Sequence, residues 1–97
     1  MKKLTGKILQ DYERRSSVIK AMAHPTRLFI LDLLREGSLC VCEINELIEA
    51  DVSTISKHLS LLKNAKLVSS QKKGLQVHYT LEMTCILDAL ACIESKK

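Results

Sequence analysis

Apolar residues recur along this chain with two different periods, and the change of period divides it. Leu4, Ile8 and Tyr12 stand four apart, on one face of a helix expected over residues 4–15. A second, shorter helix is expected over 18–23, carrying Val18, Ile19, Ala21 and Met22. His24-Pro25 then interrupts, because proline cannot continue a helix but fits the first turn of a new one. Pro25 to Arg35 holds Leu28, Ile30, Leu31, Leu33 and Leu34. That breadth of apolar surface predicts a central core helix, with Gly37 placed to cap its C-terminus.

The next helix opens at Cys40 or its neighbour and turns Ile44, Leu47 and Ile48 inward. Asp51 is a good N-cap for the one after, with Thr54 three residues on. That helix runs to about Asn64, with Ile55, Leu59 and Leu62 on its buried face. Only a few residues around Ala50-Asp51 separate the two, which is the helix-turn-helix pattern, over residues 43–64. After Leu67 the period falls to two. Val68–Lys72 and Gln76–Leu81 read as strands, with Lys73-Gly74-Leu75 turning between them. Val77, Tyr79 and Leu81 alternate with His78 and Thr80, as in a half-buried strand. A basic hairpin directly after a helix-turn-helix is a wing, here residues 68–81.

Glu82 to Glu94 returns to helical spacing, with Met83, Ile86, Leu87, Leu90 and Ile93 in one stripe that Cys85, Ala89 and Cys92 widen. A terminal helix this apolar needs a cover, and a second copy of the chain is the expected one. The fold class is therefore α+β, mostly helical. The expectation is one winged helix-turn-helix domain over residues 1–97, with 4–23 and 82–94 as dimerisation helices. At 97 residues the core is small, so pairing of two copies adds stability.

Charge changes the picture modestly. Fifteen Lys and Arg against eleven Asp and Glu leave a formal +4, which permits nucleic-acid binding without establishing it. Aromatic residues make up only 3%, which argues against stacking platforms for single strands. Double-stranded DNA read by a helix needs none. The Asp51 helix offers Ser53, Thr54, Ser56, Lys57 and His58 on its polar face, where the first residues past a cap reach base edges and nearby phosphates. Lys72 and Lys73 at the hairpin tip would touch the sugar-phosphate backbone, adding affinity without sequence information.

The start, Met1-Lys2-Lys3-Leu4, is followed by no apolar core of a signal peptide, and no stretch approaches the ~20 apolar residues of a membrane span. A cytoplasmic protein is expected. Its four cysteines, Cys40, Cys42, Cys85 and Cys92, are then reduced, which favours ligand or sensing roles over structural disulfides. Cys40-Val41-Cys42-Glu43 carries the most chemistry. Glu43 stands where a capping box has its glutamate, but a cysteine stands where the cap oxygen belongs. Sulfur is a poor acceptor, so Cys40 is expected to cap weakly. A weak cap is easier to understand if the thiols hold soft metal ions or metalloids. The helix start also favours Cys42 as a thiolate.

The local wording resembles a known family. Ala23-His24-Pro25-Thr26-Arg27 leading into an apolar helix resembles the opening of the ArsR/SmtB winged-helix repressors. Leu39-Cys40-Val41-Cys42-Glu43-Ile44 resembles the thiol motif of their arsenic- and cadmium-sensing branches. Ser53-Thr54-Ile55-Ser56-Lys57-His58-Leu59, followed by Leu62-Lys63 and Leu67-Val68, is similar to their recognition helix and the beginning of the wing. The resemblance covers about residues 18–82. It implies a homodimeric repressor that binds an operator palindrome and lets go when an inducer binds. It also implies Cys40 and Cys42 as inducer ligands, with As(III) or Sb(III) foremost, and Cd(II) or Pb(II) as alternatives among ions that favour several sulfurs.

The departures bear on the inducer. The common arsenic sensors of the family have a third cysteine where this chain has Asn45. A third sulfur must then come from Cys85 or Cys92, from a small external thiol, or not at all. Cys85 and Cys92 are otherwise small hydrophobes in a dimer seam. Residues 1–39 contain no cysteine to match the cadmium branch. His24, His58 and His78 all precede the terminal helix, where the family's zinc and cobalt sensors place Asp/His pairs. An alternative of the same fold is a thiol redox or polysulfide-responsive repressor, bridging one thiol near the reading head to one on the terminal helix. A dithiol oxidoreductase ranks last, because the strand-helix-strand setting of a thioredoxin-like motif is missing. No Ser/His/Asp grouping, phosphate-cradling glycine loop or carboxylate pair suggests an enzyme.

Overall fold

A computed structural model describes residues 2–96; Met1 and Lys97, the ends of the expected domain, lie outside them. The chain runs α1 (Gly6–Met22), α2 (Pro25–Leu33), a 3-10 turn (Leu34–Glu36), β1 (Leu39–Cys40), α3 (Val41–Leu47), α4 (Val52–Asn64), β2 (Val68–Lys73), β3 (Gln76–Leu81), a second 3-10 turn (Thr84–Ile86) and α5 (Leu87–Ser95). This is the mostly helical α+β winged helix-turn-helix that the residue pattern predicts.

Three boundaries differ from expectation. The two N-terminal helices are one. Nothing between Arg15 and Val18 breaks a helix, and the Ser16 hydroxyl donates to the Glu13 carbonyl at 3.0 Å instead of ending the turn. The core helix tightens into a 3-10 turn at Leu34 and stops at Gly37, whose φ of 143° a side chain would disfavour. The terminal helix begins only at Leu87, after a separate 3-10 turn.

The sheet holds a strand the pattern did not reveal. Its order is β1-β3-β2, all antiparallel. β1 has only two residues, pairing Leu39 with Tyr79 and Cys40 with His78. Two residues show no alternation, so β1 owes its existence to its partner.

The core gathers Ile30, Leu31 and Leu34 from α2 and its turn, Ile44 from α3, and Ile55, Leu59 and Leu62 from α4. Leu67, Val68, Leu81 and Leu87 close it. α1 buries no residue fully; Val18, Ala21 and Met22 lean on the core while Leu9, Tyr12 and Ile19 stay exposed. Phe29 of α2 and Ile93 of α5 are exposed as well. The helix-turn-helix is thus pinned from behind by its own apolar residues, which leaves the outer faces of α4 and the hairpin free.

Candidate nucleic-acid interface and thiol pair

Asp51 starts α4: its Oδ1 accepts the Thr54 N–H at 3.0 Å. Hydrogen bonds from the Thr54 side chain first, then from its backbone, hold the carboxyl below its ordinary pKa. A capped, anionic N-terminus complements the helix dipole. Ser53, Thr54, Ser56 and Lys57 then stand exposed along the first turns.

His58 departs from them. Its ring lies 4.5 Å from that of His24, and its Nδ1 is 3.1 Å from Arg27 Nη1. A guanidinium only donates, so His58 Nδ1 is the acceptor and the ring is neutral there. Burial, then the charges of His24 and Arg27, push its pKa below the ordinary value. Arg27 also donates from Nε to the Ala21 carbonyl at 2.6 Å, and His24 Nδ1 accepts the Thr26 N–H at 3.1 Å, capping α2. His58 therefore ties the reading helix to the α1–α2 junction. His24 thus hydrogen-bonds at the helix junction.

The hairpin tip sits where the pattern places it. Lys73 pairs with Gln76 across a two-residue turn, and Gly74 takes φ 64°, the left-handed region that favours glycine. Lys72 and Lys73 are exposed.

Cys40 belongs to three structures at once. It ends β1, it caps α3, and its sulfur is bonded to that of Cys42. One expectation needs correction. The pair forms a disulfide instead of standing reduced, because Cys40 keeps an extended backbone at ψ 158° that brings its sulfur back to the first turn. The cap is complete: Glu43 N–H donates to Cys40 Sγ at 3.3 Å, and Cys40 N–H donates to Glu43 Oε1 at 3.0 Å. Sulfur thus fills the oxygen's place in a capping box.

Cys85 and Cys92 are free and exposed, on the second 3-10 turn and on α5. Among the described residues no three His, Cys, Asp or Glu side chains gather into a group fit to hold a metal ion. Cys40 and Cys42 are brought together; Cys85 and Cys92 do not join them as such a group. A hollow of about 350 Å³ opens beside Cys42, lined also by Val41, Asn45, Leu75, Gln76 and Val77. Asn45 Oδ1 is buried without a hydrogen-bond partner.

Residues 24–70 match the family model described as bacterial regulatory protein, arsR family. The arsenical resistance operon repressor of Bacillus subtilis is 34% identical, over 100% of this chain and 94% of that protein. This chain belongs to the ArsR family. An uncharacterized HTH-type transcriptional regulator of Methanocaldococcus jannaschii is 45% identical over 68% of this chain and 75% of its own length. Among solved structures, HlyU from Vibrio cholerae superposes with a TM-score of 0.78 at 30% identity, covering 86% of this chain and 94% of that one. As a member of the ArsR family the chain is a DNA-binding transcriptional regulator and not an enzyme.

The bonding of Arg27 to His58 and the β1–β3 pairing are features around the candidate site that the residue pattern missed. Arg27 had a signal, since the resemblance already included it; the pairing of Cys40 with His78 had none. No helix among the described residues is long and apolar enough to cross a membrane.

Proposed function

We propose that this ArsR-family regulator is a homodimeric repressor, working in the cytoplasm, that leaves its operator when trivalent arsenic or antimony bridges Cys40 and Cys42. Ser53, Thr54, Ser56 and Lys57 read or approach bases from α4, and Lys72 and Lys73 hold phosphates from the wing. His58 steadies α4 and contributes to DNA through whatever part of its ring remains accessible. The exposed apolar residues of α1, α2 and α5, among them Leu9, Tyr12, Ile19, Phe29 and Ile93, form the dimer seam. Paired copies present two reading helices about one DNA turn apart.

The observation that carries this reading is the triple membership of Cys40. A ligand drawn to its sulfur acts at once on the α3 cap and on the strand pairing that holds the wing. The donor set fits a soft metalloid: two sulfurs close enough to bond meet one atom between them once reduced. Likeness to the Bacillus subtilis arsenical repressor supports the same inducer class. The test is operator release from the reduced protein on titration with arsenite. Release is expected from the parent and from neither Cys40→Ser nor Cys42→Ser; release from both variants overturns the assignment.

A second reading draws on the Cys40–Cys42 bond itself: a thiol redox or polysulfide-responsive repressor, its switch within one turn of helix instead of reaching to α5. In that case a polysulfide releases the operator and arsenite does not.

A further inference from the structure

Asn45 stands three residues beyond Cys42 in α3, a spacing that puts both side chains on one helix face. Both line the hollow of about 350 Å³ against the wing tip, whose apolar share comes from Val41, Leu75 and Val77. Asn45 Oδ1 is buried with no hydrogen-bond partner. Buried acceptors are nearly always satisfied, and one that is not calls for an explanation. A ligand that brings a donor supplies one.

Trivalent arsenic and antimony oxyacids carry three hydroxyls. The disulfide is first reduced by a cellular thiol: two electrons and two protons restore both Cys thiols, and the reductant leaves as its own disulfide. The oxyacid then condenses with the pair. Two As–O bonds break, two As–S bonds form, and each departing hydroxyl takes a thiol proton to leave as water. No electrons move in this second step. One hydroxyl remains on the metalloid, and it is a donor.

We propose that Asn45 Oδ1 accepts this hydroxyl, so that the inducer is a trivalent metalloid oxyacid held by two sulfurs and one amide instead of three sulfurs. The inference rests on the thiophile-released repressor reading and names the species that the site takes. An amide oxygen is a poor donor to a soft centre; the contact runs to the hydroxyl and leaves the metalloid with only two sulfurs.

The test uses the reduced full chain carrying Cys85→Ser and Cys92→Ser, so that every cysteine counted is in the site. Binding is read as loss of free thiol and as intact mass, with two probes. Arsenite keeps a hydroxyl after two thiols bind; phenylarsine oxide carries carbon in that place and keeps none. Asn45→Ala is expected to raise the arsenite midpoint about tenfold, the loss of one buried hydrogen bond, and to leave the phenylarsine oxide midpoint unchanged. In Asn45→Cys the mass that arsenite adds is expected to be one water less than in the parent, since a third thiol displaces the last hydroxyl. Equal shifts for both probes, no shift for either, or adducts that do not differ by a water overturn the role of Asn45. These readouts are independent of DNA. Asn45-dependent binding without operator release refutes the repressor reading alone, and release that ignores Asn45 refutes this inference alone.

Discussion

Replacing Cys40 by alanine removes the sulfur that accepts the Glu43 N–H at 3.3 Å; replacing it by serine leaves an acceptor in the same place. Both variants strip Cys42 of its bonded partner, so the difference between them isolates the cap. The reciprocal bond, from Cys40 N–H to Glu43 Oε1, is made by the backbone and survives in both. Loss of an N-cap acceptor costs about 0.5–2 kcal/mol, typically about 1. In a domain of this length that is about 4–8 °C in melting temperature. Serine accepts better than sulfur, which offsets part of the misfit of a hydroxyl at a site only 3% exposed. Thermal melts followed by circular dichroism, under reducing conditions and at one protein concentration because association shifts Tm, are expected to place Cys40→Ser above Cys40→Ala by that interval. Equal melting points, or alanine above serine, would refute the claim that sulfur stands in for the cap oxygen.

Lys57→Ala is expected to weaken operator binding about tenfold, a loss within the roughly 1–3 kcal/mol of one good base contact, read by fluorescence anisotropy at fixed salt. Lys72→Ala with Lys73→Ala should weaken binding to every sequence alike and flatten the salt dependence by about 0.9 for each phosphate no longer neutralised; an unchanged slope removes the wing from the interface. His58, with His24 and Arg27 facing it, titrates below its ordinary value of 6.5. The unfolded chain therefore binds the extra proton first, so stability is full above about 6.5 and falls as pH drops from there to the folded value. Denaturant unfolding of the parent and of His58→Gln should show that loss in the parent only; parallel pH profiles would count against it.

Much of this architecture was written locally. Asp51 and Thr54 announced the α4 start, because a cap and its recipient lie three residues apart in sequence. The alternation of Val77, Tyr79 and Leu81 did the same for β3, whose side chains take opposite faces in turn. β1 could not be read that way, since Leu39 and Cys40 become a strand only by meeting Tyr79 and His78 from far along the chain. His58 was legible and misplaced. It lies three past Ile55 and four before Leu62, on the inward side of α4, while its polarity suggested the outward one. The Cys40–Cys42 bond needed the backbone angle at Cys40, which no spacing rule supplies. Asn45 was visible as a missing sulfur; its stranded oxygen was not.

The core limits how the inducer proposed for Cys40 and Cys42 would act. Ile55, Leu59 and Leu62 fasten α4 to α2 and β2 with almost no exposure, so the reading helix cannot shift alone without opening that packing. Strand β3 of the wing is held differently, by two residue pairs to β1 on one side and by β2 on the other, with only the hairpin's base, Val68 and Leu81, in the core. Cys40 makes one of those two pairs, with His78. On the proposed reading, a metalloid inserted between the two sulfurs would part them and displace that of Cys40, straining this short strand before the core. If the proposed interface holds, the wing would yield first, and its lysines would let go of phosphate before α4 lets go of bases. A coupling of about 1–3 kcal/mol is enough for a 5- to 150-fold fall in affinity, a size that a few backbone phosphate contacts can supply without unfolding the reader.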